Sequence, residues 1–193
     1  MSKKGSLLVL SGLSGAGKGT IVKRLLEKYP DDYVLSISAT TRKPREGEVD
    51  GREYFFKSKE EFKKMIENDQ FLEWANYVDN FYGTPKEWVL DQMQHNKTVI
   101  LEIEIQGGFQ IKEMMPEAVL VFVLPPDMEE LERRLRGRGT ETEEQIQNRL
   151  KRAQEEILFV DRYDYSLVNK TVENSVDLLH NIILTNTGSK KGE

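Results

Sequence analysis

The chain has 193 residues, enough for one domain with a sizeable core or one core carrying insertions. Hydrophobic residues are 38% and charged residues 32%, which excludes a disordered chain, and the net charge of −5 argues against nonspecific nucleic-acid binding through overall charge. The absence of cysteine excludes disulfides, thiolate metal sites and thiol catalysis. The longest apolar runs, such as residues 118–126, are too short to span a bilayer, so no membrane association is expected. Residues 1–6 lead straight into an apolar strand, so no signal peptide is expected and the chain reads as cytoplasmic. His95 and His180 read as solvated or packed side chains. Basic residues concentrate at 42–45 and 133–138, a distribution suited to a small anionic ligand.

In chain order, residues 6–10 form a short apolar strand that ends in a glycine-rich stretch. A helix is predicted next, with Ile21, Val22, Leu25 and Leu26 on one face, closed by Pro30. A strand is expected over 33–39, another over 98–103, and then a glycine pair followed by a helix to Met115. Residues 118–124 form a further buried strand stopped by Pro125 and Pro126; a strand over 165–169 and an amphipathic helix over 175–184 complete the pattern. Strands alternating with helices predict an α/β fold with a parallel sheet covered on both faces.

Two segments interrupt the alternation. Residues 37–97 hold short strands around 54–56 and 71–77 and two helices, each with a predicted capping box, Ser58-x-x-Glu61 and Thr84-x-x-Glu87. Residues 127–156 are two charged helices joined by Gly137, Arg138, Gly139 and Thr140, a pattern that suits a hinge. The expected organisation is therefore a core (5–36, 98–126 and 157–187), an insertion (37–97) and a helical lid (127–156).

The nine residues Gly12, Leu13, Ser14, Gly15, Ala16, Gly17, Lys18, Gly19 and Thr20 sit where a strand turns into a helix. Glycines allow backbone N–H groups to curl around phosphate oxygens, the helix N-terminus adds its positive end, and Lys18 can reach the terminal bridging oxygens. The chemistry points to a nucleoside triphosphate such as ATP. Gly19 stands where many such loops place a magnesium-ligating serine or threonine, so no protein metal ligand is assigned.

A second anion site is expected from Arg42 and Arg45, whose planar guanidinium forks suit phosphate oxygens, with Tyr54 and Tyr82 as hydroxyl donors. The pattern Thr40-Thr41-Arg42-x-x-Arg45-x-x-Glu48-x-x-Gly51-x-x-Tyr54-x-Phe56 resembles the signature of the guanylate kinase family. The similarity continues through Glu73–Trp74, Tyr82–Gly83–Thr84, residues 101–107, residues 137–142 and Val168–Asn169.

That resemblance implies a P-loop kinase core with an inserted GMP-binding subdomain and a lid. It further implies reversible transfer of the γ-phosphoryl group of ATP to GMP, in purine nucleotide metabolism. Mg2+ would be held mainly by phosphates and water. Glu73 matches the family's guanine-binding glutamate, and a carboxylate can accept from both guanine N1–H and the 2-amino group. Ser38 and Thr84 supply hydroxyls for O6. Glu102 and Glu104, two apart on a strand and so on one face, match positions where the family usually carries aspartate. One is expected at guanine and one near the metal, in either order. Arg134, Arg138 and Arg149 match the lid arginines, which with Lys18 and Arg45 form the expected catalytic set. Asn169 resembles the adenine-contacting residue. GMP and ATP are the expected partners, in a monomer or homodimer. The competing readings are a non-catalytic module that binds a phosphorylated peptide, and a kinase for another nucleoside monophosphate. The intact loop and lid arginines weigh against the first, and Glu73 with Ser38 and Thr84 against the second.

Overall fold

A computed structural model describes residues 5–137, 139 and 141–188. Five parallel strands form the central sheet in the order β2-β7-β1-β8-β9, with β1 (Ser6–Gly12), β2 (Tyr33–Leu35), β7 (Thr98–Glu102), β8 (Val119–Leu124) and β9 (Tyr165–Val168). Because both faces of a parallel sheet are covered, its strands read as unbroken apolar runs: Leu7–Leu10, Val99–Leu101 and Leu120–Val123 are all buried. Helices α1 (Lys18–Lys28), α3 (Lys86–Gln94), α4 (Ile105–Met114) and α7 (Val172–Gly188) contribute to the covering layers. β1 lies between β7 and β8, so the loops at the carboxyl ends of these three strands open into a common crevice, where open α/β sheets place ligands.

A second sheet, in the order β4-β3-β6-β5, is built from β3 (Ala39–Thr40), β4 (Phe55–Phe56), β5 (Phe71–Tyr77) and β6 (Asn80–Pro85). Its own small core is Ala39, Phe62 and Phe71, with Phe55, Met65, Ile66 and Phe81 packed around them and Phe62 supplied by α2 (Lys59–Glu67). After β8 come α5 (Met128–Gly137) and α6 (Glu143–Glu156), followed by a 3-10 turn at Ile157–Arg162. Thr142 caps α6 in a reciprocal capping box with Gln145.

The structure differs from the sequence expectation at several points. The strand expected over 33–39 divides: Ser36 N–H bonds Ile100 O in the central sheet, and the chain then crosses so that Ala39 and Thr40 pair with β6. The Ser58 capping box is present, but Thr84 caps nothing; α3 begins after Pro85, and the Thr84 hydroxyl bonds Glu73 instead. The glycine pair Gly107–Gly108 lies inside α4 rather than ahead of it.

Candidate active site

The loop after β1 is held by backbone constraints a side chain would break. Gly12 has φ 138°, and a Cβ there would lie 2.2 Å from the carbonyl oxygen of Val123. Gly17, the residue before α1, is left-handed at φ 95° and packs against the amide of Asn169. Lys18 folds over the loop, its ammonium donating to Gly12 O at 2.7 Å and to Leu13 O at 3.2 Å.

From behind, buried Asn169 locks the loop: its Nδ2 donates to Ala16 O at 2.8 Å and its Oδ1 accepts from Ser175 Oγ at 2.9 Å. Arg134 of α5 donates to Ala16 O and to Asn169 O while pairing with Glu130 at 2.8 Å. Arg149 of α6 donates to Ser14 Oγ at 2.9 Å and pairs with Glu141. Two of the three predicted lid arginines thus reach the loop; Arg138 lies outside the described residues.

Beside the loop opens a cleft of about 530 Å³ whose walls include Gly19, Val22, Lys23, Leu35 and Glu102. Glu102 ends β7 and its carboxylate oxygens lie 3.7–3.8 Å from the place a Cβ on Gly19 would occupy. The side chain reaches solvent, but crowding on the cleft side raises its pKa above the usual carboxylate range, with the Lys18 charge opposing. Glu104, two residues on, points instead to Arg152 of α6 at 2.7 Å. Thr20 sits exposed in the first turn of α1.

The second sheet carries the other half. Arg42 is gripped by Glu48 through two parallel bonds of 2.9 Å each, and its guanidinium lies over the Tyr54 ring, 5.3 Å from the centroid. Tyr82 is edge-on to Tyr54 with ring centroids 6.1 Å apart. The Glu48 hydrogen bonds hold the Arg42 pKa above its ordinary value, with smaller help from Tyr82. Arg42 and the backbone N–H of Arg45 hold the Glu48 carboxyl below its own. The side chain of Arg45 is exposed. Sequence reasoning counted Glu48 as part of a pattern but gave it no role. Its spacing of three and six from the two arginines is the signal that could have supplied one.

Glu73 is 8% exposed, on the β5 side of a bulge between Phe71 and Glu73, and stands opposite Thr84 in the β5–β6 ladder. Thr84 Oγ1 donates to Glu73 Oε1 at 2.6 Å. The other oxygen, Oε2, rests on Gly107 of α4, where a Cβ would lie 3.0 Å away. Burial pushes the Glu73 pKa up, and the Thr84 hydrogen bonds pull against it. Ser38 lies in the crossing between the two sheets, half-buried, its carbonyl accepting from Phe55 N–H.

A glycine loop at the end of a central parallel strand, arginines reaching it from helical segments, and an inserted sheet with a buried carboxylate and an arginine–tyrosine cluster define a P-loop phosphotransferase of the nucleoside monophosphate kinase class. The family model described as guanylate kinase matches residues 4–186, and the chain belongs to that family.

The chain is 55% identical over 184 residues to a guanylate kinase of Caldanaerobacter subterraneus subsp. tengcongensis, covering 95% of this chain and 89% of the relative. It is 56% identical over 181 residues to a guanylate kinase of Clostridioides difficile, covering 94% and 88%. The crystal structure of guanylate kinase from Anaplasma phagocytophilum superposes with a TM-score of 0.74 at 35% identity, covering 97% of this chain and 89% of that one. No helix among the described residues is long and apolar enough to cross a membrane.

Proposed function

We propose that this phosphotransferase moves the γ-phosphoryl group of ATP to GMP, giving ADP and GDP, as a cytoplasmic enzyme of purine nucleotide metabolism. The observation that carries the reading is the buried Glu73–Thr84 pair in the same chain as an intact phosphate loop. A buried carboxylate with one oxygen engaged by a hydroxyl is a ready acceptor for the two donors on the guanine edge. Adenine presents an acceptor at N1 and no 2-amino group, so AMP would strand the carboxylate.

In this reading Arg42, Arg45, Tyr54 and Tyr82 hold the GMP phosphate, with Glu48 fixing Arg42 in advance. Ser38 would supply the hydroxyl for O6; Thr84, whose hydroxyl donates to Glu73 Oε1, would have to give up that bond to do the same. Glu104 does not share the expected strand face with Glu102: β7 ends at Glu102, and Glu104, the residue before α4, is turned to Arg152. The loop N–H groups and Lys18 take the ATP phosphates, Lys18 exchanging its two carbonyl bonds for phosphate oxygens. A contact of Asn169 with adenine would compete with bonds the residue already makes, its amide to Ala16 O and Ser175 Oγ, its N–H to Leu124 O and its carbonyl to Arg134.

The transferred group is loosely bonded in the transition state, so positioning and positive charge supply most of the catalysis. Lys18 acts from the loop side; Arg134, Arg138 and Arg149 act from the lid, and Arg45 from the acceptor side. Closure of residues 127–156 and of the insertion over the loop would exclude water that would otherwise hydrolyse ATP. The magnesium ion that accompanies ATP would be held mainly by phosphates and water, with the Glu102 carboxylate beside Gly19 available to it, and would neutralise phosphate charge. Among the described residues no three acidic or histidine side chains gather into a cage of their own.

The test is steady-state turnover with GMP, dGMP, AMP, CMP and UMP at saturating ATP and magnesium. GMP should exceed AMP in kcat/KM by about 10⁴-fold or more. Comparable values for the two would remove the guanine assignment of Glu73.

A further inference from the structure

Glu141 precedes the capping residue of α6, and its side chain is only 10% exposed. It is the least exposed of the arginine-paired carboxylates around these two helices: Glu156, Glu130, Glu132 and Glu143 are 14%, 19%, 39% and 61% exposed. One oxygen, Oε1, pairs with Arg149 at 2.9 Å. The other, Oε2, is buried and has no hydrogen-bond partner among the described residues. Burying a half-satisfied carboxylate works against folding, so its location calls for a compensating role.

Arg149 supplies that role. One arm of its guanidinium takes Glu141, and the other donates to Ser14 Oγ in the phosphate loop at 2.9 Å. A free arginine side chain has many rotamers, and ordering it at the moment of reaction is costly. We propose that Glu141 is a positioning residue which holds Arg149 at the lip of the phosphate loop, so that its charge is in place when the phosphoryl group transfers. The proposal rests on Arg149 acting on the transferring group. Glu141 itself touches neither substrate.

Four variants test it in the coupled ATP–GMP assay: Glu141→Gln, Glu141→Asp, Arg149→Ala and the double variant Glu141→Gln with Arg149→Ala. Glu141→Gln should lower kcat by about 10- to 100-fold, the scale of a misplaced catalytic group, with the GMP KM within about twofold. Glu141→Asp, which keeps the charge one methylene back, should recover part of that loss. With Arg149 already removed, Glu141→Gln should add little further loss.

An equal loss from Glu141→Gln in both backgrounds would overturn the positioning role, as would unchanged kcat in Glu141→Gln while Arg149→Ala is crippled. Unchanged kcat in Arg149→Ala would instead remove the role given to Arg149, and the proposal with it. Should Glu141→Gln fail to fold, Glu141→Asp decides: kcat equal to that of the parent chain overturns the proposal.

Discussion

Glu73 and Thr84 face each other across the β5–β6 ladder, and the Thr84 hydroxyl donates to Glu73 Oε1 at 2.6 Å while Oε2 lies against Gly107. This joins the two sheets' functions at one atom group: a carboxylate from the inserted sheet is seated on a helix of the central layer.

The first prediction concerns pH. Burial raises the Glu73 pKa, so the folded chain holds its proton to higher pH than the unfolded chain does. Between the unfolded and folded pKa values the native state binds more protons, and this group therefore lowers stability as pH rises through that window. In the proposed role Glu73 accepts from guanine in its ionised form. Below the folded pKa the GMP KM should rise by about tenfold per pH unit, starting at a higher pH than an exposed glutamate would give. Glu73→Gln should abolish that dependence, weaken GMP at neutral pH and stabilise the ligand-free chain above the window. A GMP KM that stays flat in acid for the parent chain, measured with ATP saturating, would rule this out.

Gly107 gives a second prediction. A Cβ there would meet Glu73 Oε2 at 3.0 Å and Ile103 Cδ1 at 3.3 Å, and the residue lies within α4 with no positive φ. Gly107→Ala gains helix propensity of about 0.5–1 kcal/mol, which offsets the crowding in the fold. The Glu73 carboxylate, proposed to recognise guanine, has to shift, however. The expected outcome is a melting temperature little changed, a GMP KM raised several-fold and an ATP KM unaltered. Equal changes in both KM values would show a general disturbance of the cleft instead.

The third concerns Glu48. It grips Arg42 through two bonds of 2.9 Å with both side chains largely covered, 16% and 17% exposed, and also accepts from Arg45 N–H. Glu48→Gln removes the charge and one of the two parallel acceptors, freeing Arg42 to leave the Tyr54 ring. Without this brace Arg42 must be ordered when GMP binds, so the GMP KM should rise by about three- to ten-fold. Isothermal titration with GMP in the absence of ATP reads the effect directly; unchanged affinity would leave Glu48 a purely local brace.

Much of this was legible in the chain itself, because parallel strands buried on both faces leave continuous apolar runs and the loop at residues 12–20 has a fixed order of glycine and lysine. What escaped depended on contacts distant in sequence. β6 contains Gly83 and Pro85 and follows a turn through Val78 and Asp79, both at positive φ, where a sequence reading looks for asparagine and glycine. Thr84 had the spacing of a helix cap, and only the partner strand showed that its hydroxyl belongs to Glu73. Gly107 and Glu141 lie in stretches that resemble the family, but nothing local gives either a role, since one matters through Glu73, 34 residues away, and the other through Arg149 and Ser14.

The last prediction separates two glycines of the same loop. At Gly12, φ is 138° and a Cβ would lie 2.2 Å from Val123 O and 2.7 Å from Val123 N, both backbone atoms of the adjoining strand that cannot withdraw without breaking the ladder. Gly12→Ala should cost about 3 kcal/mol or more, a fall in melting temperature of roughly 6–12 °C for a chain this size. At Gly19 the φ is ordinary, and the nearest atoms to a Cβ are the Glu102 oxygens at 3.7 and 3.8 Å, an unstrained contact. Gly19→Ala should raise helix stability by up to about 1 kcal/mol. Yet Gly19 lines the cleft with Glu102, and on the proposed reading its methyl would intrude on the space for phosphate and magnesium. The variant should melt higher and turn over more slowly. Calorimetry and the kinase assay on the same preparations decide it: if Gly19→Ala is both more stable and fully active, the bare position serves neither backbone nor ligand.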